Sequence, residues 1–190
     1  LEWLRKYAYI KLVINGDANN FQANHLHGCI LSQKMQFEEA ITFLEKAISI
    51  EPNNYEANNN LGIAYKNIKS FVNSEKYFKN AISIDSNNYK ALFNCANLYI
   101  ESDKYEEALN YLEKSSNADI LFAEAPQRIG EVYQYMFQSD RSLTHLHSSK
   151  KYFLLAIERD EKYADAYLML GMSSLWLGEI NEADKLFKKV

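Results

Sequence analysis

One short stretch of this sequence decides the fold, because its pattern returns along the chain. It reads Asn58-Asn59-Asn60-Leu61-Gly62-Ile63-Ala64-Tyr65. Leu61 and Gly62, with a tyrosine three residues later, fall on one face of an α-helix. The small residue recurs at steps of 34, 34, 34 and 41 residues, at Gly28, Gly62, Ala96, Gly130 and Gly171.

Each repeat is predicted to be a pair of helices. Its apolar and small residues recur at steps of three, four and seven, as on one face of a helix. The pattern breaks at residues 51–54 and 85–88, which supply turn and N-cap residues. Small residues such as Gly62 and Ala81 are expected to let the two helices approach closely. A hairpin of this kind buries its remaining apolar face only against its neighbours, which predicts a solenoid.

The 34-residue period, the Leu-Gly-x-x-Tyr pattern at 61–65 and Pro52 at the end of a unit resemble the tetratricopeptide repeat (TPR) family. The resemblance implies an all-α fold, a right-handed α–α superhelical solenoid of stacked hairpins. It predicts a single TPR solenoid over residues 1–190. Its parts would be the second helix of a partial repeat at 1–15, regular repeats at 21–54, 55–88 and 89–122, a lengthened repeat at 123–163, and a truncated repeat at 164–190.

The fourth unit is seven residues longer than the others, between Gly130 and Phe153. Seven residues are close to two turns of ~3.6 residues, so one extra turn in each helix keeps both apolar faces in phase. We expect a taller hairpin with its tip near residues 139–142; a flexible loop is the alternative. The added length is either drift within the family or an extra contact surface.

Composition excludes several other classes of protein. The 190 residues are 47% hydrophobic and 24% charged, which suits a globular fold. The 21 Lys and Arg against 25 Asp and Glu give a net charge of −4, which argues against a nucleic-acid binder. No apolar run approaches the ~18 residues of a membrane span, so no membrane insertion is expected.

The two cysteines cannot form a disulfide framework, so a reducing, cytoplasmic location is expected. The sequence begins at Leu1 rather than Met and stops at Val190 inside a helical pattern. We therefore expect it to be part of a longer chain.

No pattern typical of an enzyme or of a metal site is found, so we predict no catalysis, no metal and no cofactor. His25-Leu26-His27 and His145-Leu146-His147 resemble ligand spacings, but residues two apart on a helix point to nearly opposite sides. Cys29 and Cys95 lie two repeats apart and are expected to be buried or groove-lining thiols. Phosphate-binding loops and hydrolase motifs are missing from the sequence.

The resemblance implies a binding groove, because the first helix of each TPR hairpin lines the concave face. A row of asparagines, each with a donor and an acceptor, suits the backbone of an extended peptide. In the first unit the lining positions hold His25 and Cys29. The further candidates are Asn59, Asn60, Ile63, Lys66, Asn67, Lys90, Phe93, Asn94, Asn97, Glu131, Tyr135, Met172 and Trp176.

Some TPR domains bind the C-terminal carboxylate of chaperones with a Lys/Asn pair, a central Asn and a Lys/Arg pair. Asn60 and Lys90 match that pattern here. His25, Cys29 and Asn94 do not, and we reject the chaperone clamp.

The leading hypothesis is a non-catalytic protein–protein interaction scaffold that binds a peptide or helical segment of a partner protein in its groove. One alternative is the substrate-recruiting TPR region of a larger enzyme, such as an O-linked N-acetylglucosamine transferase. Asn60 and Asn94 favour that comparison, whereas Leu26, Arg128 and Met169 interrupt the asparagine row. A self-associating homo-oligomer is the other alternative.

Overall fold

The structure, a computed structural model, describes residue 10 and residues 12–190. Within that part of the chain every regular element is an α-helix. The helices after Asn20 are α1 Phe21–Gln33, α2 Phe37–Ile50, α3 Tyr55–Asn67, α4 Phe71–Ile84, α5 Tyr89–Ile100, α6 Tyr105–Ala118, α7 Glu124–Asp140, α8 Leu143–Arg159, α9 Ala164–Trp176 and α10 Ile180–Phe187. The helix predicted over residues 1–15 lies mostly outside the described residues; Ile10 and residues 12–16 are helical. In the described residues no helix combines the length and the apolar character that crossing a bilayer requires.

The helices are joined in pairs by short turns, each of which has one residue in the left-handed conformation. A left-handed residue after a helix reverses the chain within a few residues. These residues are Met35, Lys69, Asp103, Arg141 and Gly178, with φ between 55° and 82°. Between residues 21 and 190 the turns therefore join the helices into five consecutive pairs, α1–α2 through α9–α10, which we number as hairpins one to five.

The first helix of each of the first three hairpins begins at a capping asparagine. Asn20, Asn54 and Asn88 each accept the backbone N–H three residues later, at 2.9, 3.0 and 3.0 Å. Such a cap stabilises a helix by about 1 kcal/mol. The 34-residue spacing of these asparagines therefore helps to set where each hairpin starts.

The chain divides into two compact units, one ending at Leu98 and the other beginning at Tyr99. In the first unit α1 to α4 pack in order, each against the next. Its core includes Leu31, Ala40, Ile41, Leu44, Leu61 and Ala64. In the second unit α6 to α10 pack in the same order.

In the second and fourth hairpins, close packing depends on a glycine in the first helix. A Cβ atom on Gly62 would lie 2.6 Å from Cδ1 of Phe78, and one on Gly130 would lie 2.6 Å from Cε1 of Phe153. Both phenylalanines are fully buried. The Phe78 ring thus lies where a Cβ atom of residue 62 would be, because glycine leaves room for it.

In the fourth hairpin α7 and α8 have 17 residues each, whereas α1 to α6 have 12 to 14. Arg141 alone turns the chain between the end of α7 and the N-cap of α8, Ser142. The buried Gln134 of α7 donates to the backbone oxygen of Met169 at 3.1 Å and to Oγ of Ser173 at 2.9 Å. These bonds hold α7 against α9.

Arg159, in the last turn of α8, joins the fourth hairpin to the loop that precedes it. Its guanidinium donates to the backbone oxygens of Ser116 and Phe122, each at 3.0 Å, and of Asp119 at 3.4 Å. One cation thereby satisfies carbonyls at the C-terminal end of α6 and in the loop after it.

Candidate functional site

Five of the candidate residues in the first unit line one cavity. Its volume is about 450 Å³, and it lies between the first helices of three consecutive hairpins. The lining residues are His25, Cys29, Tyr55, Glu56, Asn59, Asn60, Asn88, Tyr89 and Lys90. We call this surface the amide wall, together with Asn94, which is bonded to it.

The centre of the amide wall is a hydrogen bond between two neighbouring repeats. Nδ2 of Asn94 on α5 donates to Oδ1 of Asn59 on α3 at 3.1 Å. Both side chains are half-buried. The bond uses one polar atom of each amide, and within the described residues Nδ2 of Asn59 and Oδ1 of Asn94 have no other partner. One donor and one acceptor are therefore available side by side.

Asn60 bridges α3 and α1 at the inner end of the cavity. Its Nδ2 lies 3.0 Å from Nε2 of His25 and donates to Sγ of Cys29 at 3.2 Å. Burial lowers the pKa of the His25 imidazole and raises the pKa of the Cys29 thiol. Both groups are therefore neutral at pH 7, and the inner end of the cavity carries no charge.

The mouth of the cavity carries one charge of each sign. Lys90 is exposed, with its Nζ 5.7 Å from the centre of the Tyr89 ring. Glu56 is exposed as well and accepts a hydrogen bond from Tyr55 Oη at 3.2 Å. The opening is thus balanced in charge and offers aromatic surface.

Sequence reasoning missed Tyr55, Glu56, Asn88 and Tyr89 as lining residues. The triplet Asn-Asn-Tyr occurs at 53–55 and again at 87–89, one repeat apart. That repetition was the available signal, because it places a capping asparagine and a tyrosine at the start of consecutive first helices.

The remaining candidates of the first unit lie further along α3 and α5 and do not line this cavity. Nδ2 of Asn67 donates to the backbone oxygen of Ile63 at 2.9 Å, so its amide is partly used within α3. Lys66, Phe93 and Asn97 are half-buried.

The candidates of the second unit have different surroundings. Glu131 accepts from Nε2 of Gln127 at 2.5 Å and from Nη1 of Arg128 at 2.6 Å, all within α7. The Glu131 carboxylate is therefore largely satisfied by its own helix.

Aromatic stacking is the other feature of the second unit. Tyr135 packs on Tyr105 with ring centres 6.1 Å apart, and Trp176 stacks on Phe137 at 5.8 Å. Met172 is half-buried on α9. These candidates present aromatic and thioether surface instead of amides.

The histidines do not assemble a metal site. His25 contacts Asn60, while His27 is buried and packs on Phe43 with ring centres 4.1 Å apart. His145 bonds to Asp140 at 3.0 Å, and His147 is exposed. Within the described part of the chain no three His, Cys, Asp or Glu side chains group as metal ligands do.

Family models identify the repeats. A TPR repeat model matches residues 28–68, and two tetratricopeptide repeat models match residues 69–119 and 165–190. The chain is a TPR protein. This confirms the resemblance inferred from the sequence, and it accounts for the five hairpins with glycine or alanine at matched positions.

Solved structures share the TPR fold. The type IV pilus biogenesis factor PilW has a TM-score of 0.80 and 23% identity, over 94% of this chain and 80% of that one. MamA from Desulfovibrio magneticus has a TM-score of 0.75 and 20% identity, over 89% and 92%. YrrB, described as a TPR protein with an unusual peptide-binding site, has a TM-score of 0.69 and 17% identity, over 95% and 89%. At these identities the likeness confirms the predicted fold class, stacked TPR hairpins. A search of curated proteins gives no match.

Proposed function

We propose that this TPR protein is a non-catalytic scaffold that binds an extended segment of a partner protein at the amide wall. The observation that supports it is the Asn59–Asn94 pair. Its free donor and free acceptor lie on two repeats that are held together by a hydrogen bond.

The backbone N–H and C=O of one residue in an extended segment are the natural complement of this pair, because they point to the same side of the segment. The carbonyl accepts from Nδ2 of Asn59, and the N–H donates to Oδ1 of Asn94. Because both bonds involve the peptide backbone, they favour an extended segment of any sequence. Each bond contributes about 1 kcal/mol, since the groups exchange water for protein partners.

The rest of the cavity adds a preference for segments of low charge. His25 and Cys29 are neutral, and the lining holds one lysine, Lys90, and one glutamate, Glu56. A terminal carboxylate would meet a single lysine there, which agrees with rejecting the chaperone clamp.

The other groove candidates extend the proposal. Ile63, Lys66, Asn67, Phe93 and Asn97 would contact a segment that continues along α3 and α5. We propose that Tyr135, Met172 and Trp176 contribute apolar contacts in the second unit, beside the polar Glu131. Metals, cofactors and nucleic acids have no part in this function, and the cytoplasmic location stays a prediction.

The test uses peptides selected on the full chain from a random-sequence library. We expect Asn94→Ala and Asn59→Ala each to weaken a selected peptide by about 5- to 10-fold, the equivalent of one hydrogen bond. Asn80→Ala is the matched control, because this asparagine is exposed on α4, away from the wall. Calorimetry gives the affinities, and thermal melts verify folding.

Backbone recognition has its own signature. N-methylation at one position of the peptide should weaken binding to the wild type and have no further effect on Asn94→Ala. Equal affinity for wild type, Asn59→Ala and Asn94→Ala would remove the amide wall from the binding site.

A further inference from the structure

The inner end of the amide wall differs from the Asn59–Asn94 pair in the hydrogen-bonding atoms that it leaves open. A carboxamide has two hydrogens to donate and one oxygen to accept. Nδ2 of Asn60 lies 3.0 Å from Nε2 of His25 and donates to Sγ of Cys29 at 3.2 Å, so both of its hydrogens are used. Oδ1 of Asn60 has no partner among the residues that the structure describes. A ligand that reaches this end therefore meets a hydrogen-bond acceptor.

The neighbours of Asn60 are an imidazole and a thiol. Because Nε2 of His25 faces an N–H donor, the proton of the neutral ring lies on Nδ1. Sγ of Cys29 accepts from Asn60, and its own S–H is a weak donor. All three side chains are half-buried. We call Asn60, His25 and Cys29 the inner pocket.

A cation is disfavoured in the inner pocket although two carboxylates lie near it. Burial lowers the pKa of His25, and Glu56 and Glu51 act in the opposite direction without cancelling this effect. Burial therefore destabilises a positive charge here more than these carboxylates stabilise it. Lys90 lines the same cavity and repels a second cation. A lysine or arginine side chain of a partner would meet the same balance.

An anion is disfavoured there as well. Burial raises the pKa of the Cys29 thiol, the hydrogen bond from Asn60 lowers it, and Glu56 raises it further. A partner carboxylate would meet the same burial and the same repulsion from Glu56. It also has no hydrogen to donate to Oδ1 of Asn60. The inner pocket thus fits an uncharged side chain.

A segment bound at the Asn59–Asn94 pair passes close to the inner pocket. Asn59 and Asn60 are consecutive on α3, with Cα atoms about 3.8 Å apart. Their side chains bond to opposite neighbours, that of Asn59 to α5 and that of Asn60 to α1. An extended segment advances about 3.3 Å per residue. A side chain within two residues of the bound backbone groups can therefore reach Asn60.

We propose that the inner pocket selects an uncharged donor side chain of the partner, a carboxamide or a hydroxyl, which donates to Oδ1 of Asn60. This inference rests on the proposed function, because the backbone bonds to Asn59 and Asn94 place the segment. An aliphatic side chain would cover Oδ1 of Asn60 without bonding to it, and a polar atom covered in this way is unfavourable. The inner pocket thereby adds a sequence preference to a backbone contact that has none.

The test uses a peptide selected on the full chain, whose bound residue is located by its sensitivity to N-methylation. Each side chain within two residues of it is replaced in turn by Gln, Ser, Glu, Lys and Leu, and calorimetry gives the affinities at pH 7. At one position we expect Gln or Ser to bind about tenfold more tightly than Glu and Lys, and about fivefold more tightly than Leu. Gln and Glu have nearly the same shape, so their ratio reports charge and the missing hydrogens.

Variants of the chain separate side-chain selection from backbone binding. Asn60→Ala should remove the preference, so that the Gln, Ser and Leu peptides bind within about twofold of one another. Asn94→Ala should weaken all three and keep the ratios between them. Asn80→Ala, exposed on α4, is the control and should change neither. Thermal melts verify folding, and the peptide ratios on the wild type require no substitution in the chain.

The two proposals fail in different ways. Peptides that depend on Asn94 but bind equally well with every side chain would overturn the inner pocket and leave the backbone contact in place. A preference for Glu, Lys or Leu would do the same, and so would a preference for Gln or Ser that persists in Asn60→Ala. Selected peptides that depend on neither Asn59 nor Asn94 would overturn both proposals.

Discussion

The second and fourth hairpins share one packing plan at two lengths. In both, a glycine faces a buried phenylalanine, although Gly62 and Phe78 are 16 residues apart and Gly130 and Phe153 are 23 apart. Both also stack two tyrosines, with ring centres 5.6 Å apart in the second hairpin and 5.8 Å apart in the fourth. The seven added residues thus leave the interior of the hairpin unchanged.

The outward residues of the two hairpins differ much more. The first helix of the second hairpin makes side-chain hydrogen bonds to the neighbouring repeats through the amides of Asn59 and Asn60. The first helix of the fourth satisfies Glu131 internally and stacks aromatic rings at its added end. The comparison teaches that the spacing of the small and aromatic residues determines the core of each hairpin, whereas the outward positions can differ without changing that core.

The largest expected effect tests the shared core. Gly62→Ala and Gly130→Ala should each lower the free energy of unfolding by about 2 kcal/mol. Overpacking a core costs about 1–3 kcal/mol, and a Cβ atom 2.6 Å from a fully buried ring lies at the upper end of that range, while the better helix propensity of alanine offsets about 1 kcal/mol. Urea unfolding measures both, and very different losses would mean that the longer hairpin packs by other rules.

A second substitution identifies the cause of that loss. Phe78→Leu added to Gly62→Ala should cost less than the sum of the two single changes, since the third hairpin has Ala96 and Leu112 at the corresponding positions. Additive losses would show that the ring does not cause the strain.

The next prediction concerns the added turn of the fourth hairpin. Phe137→Ala should lower the free energy of unfolding by about 1–2 kcal/mol, because it removes the stack on Trp176. Tryptophan emission should shift to the red as Trp176 gains water. Gln138→Ala, an exposed change on the same turn, is the control. An unchanged emission spectrum would mean that Phe137 does not cover the indole.

The smallest effect is seen only at high pH. Burial raises the pKa of Tyr65 in the second hairpin and raises that of Tyr152 in the fourth to about 12. Tyr65 also donates to Glu45 at 2.6 Å, and Tyr152 to Glu113 at 3.3 Å. The folded chain keeps these protons above the pH of about 10 at which an unfolded chain loses them.

Stability should therefore decline as the pH rises beyond about 10. Tyr65→Phe and Tyr152→Phe should each make the decline less steep. Ultraviolet titration of each variant, compared with the wild type, gives the ionisation of the tyrosine that the variant lacks. Tyr65 should ionise at higher pH than Tyr152. The reverse order would contradict the shorter bond in the second hairpin.

The sequence predicted the helices well, because each helix depends on local features. These are its capping residue and the spacing of its small and apolar residues, which recur every 34 residues. The sequence did not predict that the Phe78 ring fills the space beside Gly62, since several side chains lie on the same face of α4. The bonds of Glu131 were within reach of sequence reasoning, because Gln127 and Arg128 are four and three residues away on one helix. The Phe137–Trp176 stack was not, since the seven added residues shift the register between hairpins.

In the amide wall, too, the sequence predicted positions on the helices but not side-chain contacts. Asn59, Asn60 and Asn94 were predicted as groove positions from their places on the first helices. Their pairing was not, because Asn94 bonds to Asn59 and not to Asn60, the residue one repeat before it. Side-chain rotamers across a repeat boundary depend on three-dimensional packing, so the spacing of residues along the sequence does not predict them.

The three carbonyl bonds of Arg159 have a consequence for how the second unit comes apart. In a repeat protein the interface between neighbours sets how far unfolding spreads. Arg159 strengthens the junction between α6 and α8, so fraying that begins at the end of α8 releases the loop at 119–122 as well. Amide exchange at the end of α6 should therefore follow the opening of α8, and the two helices should lose protection as one cooperative block.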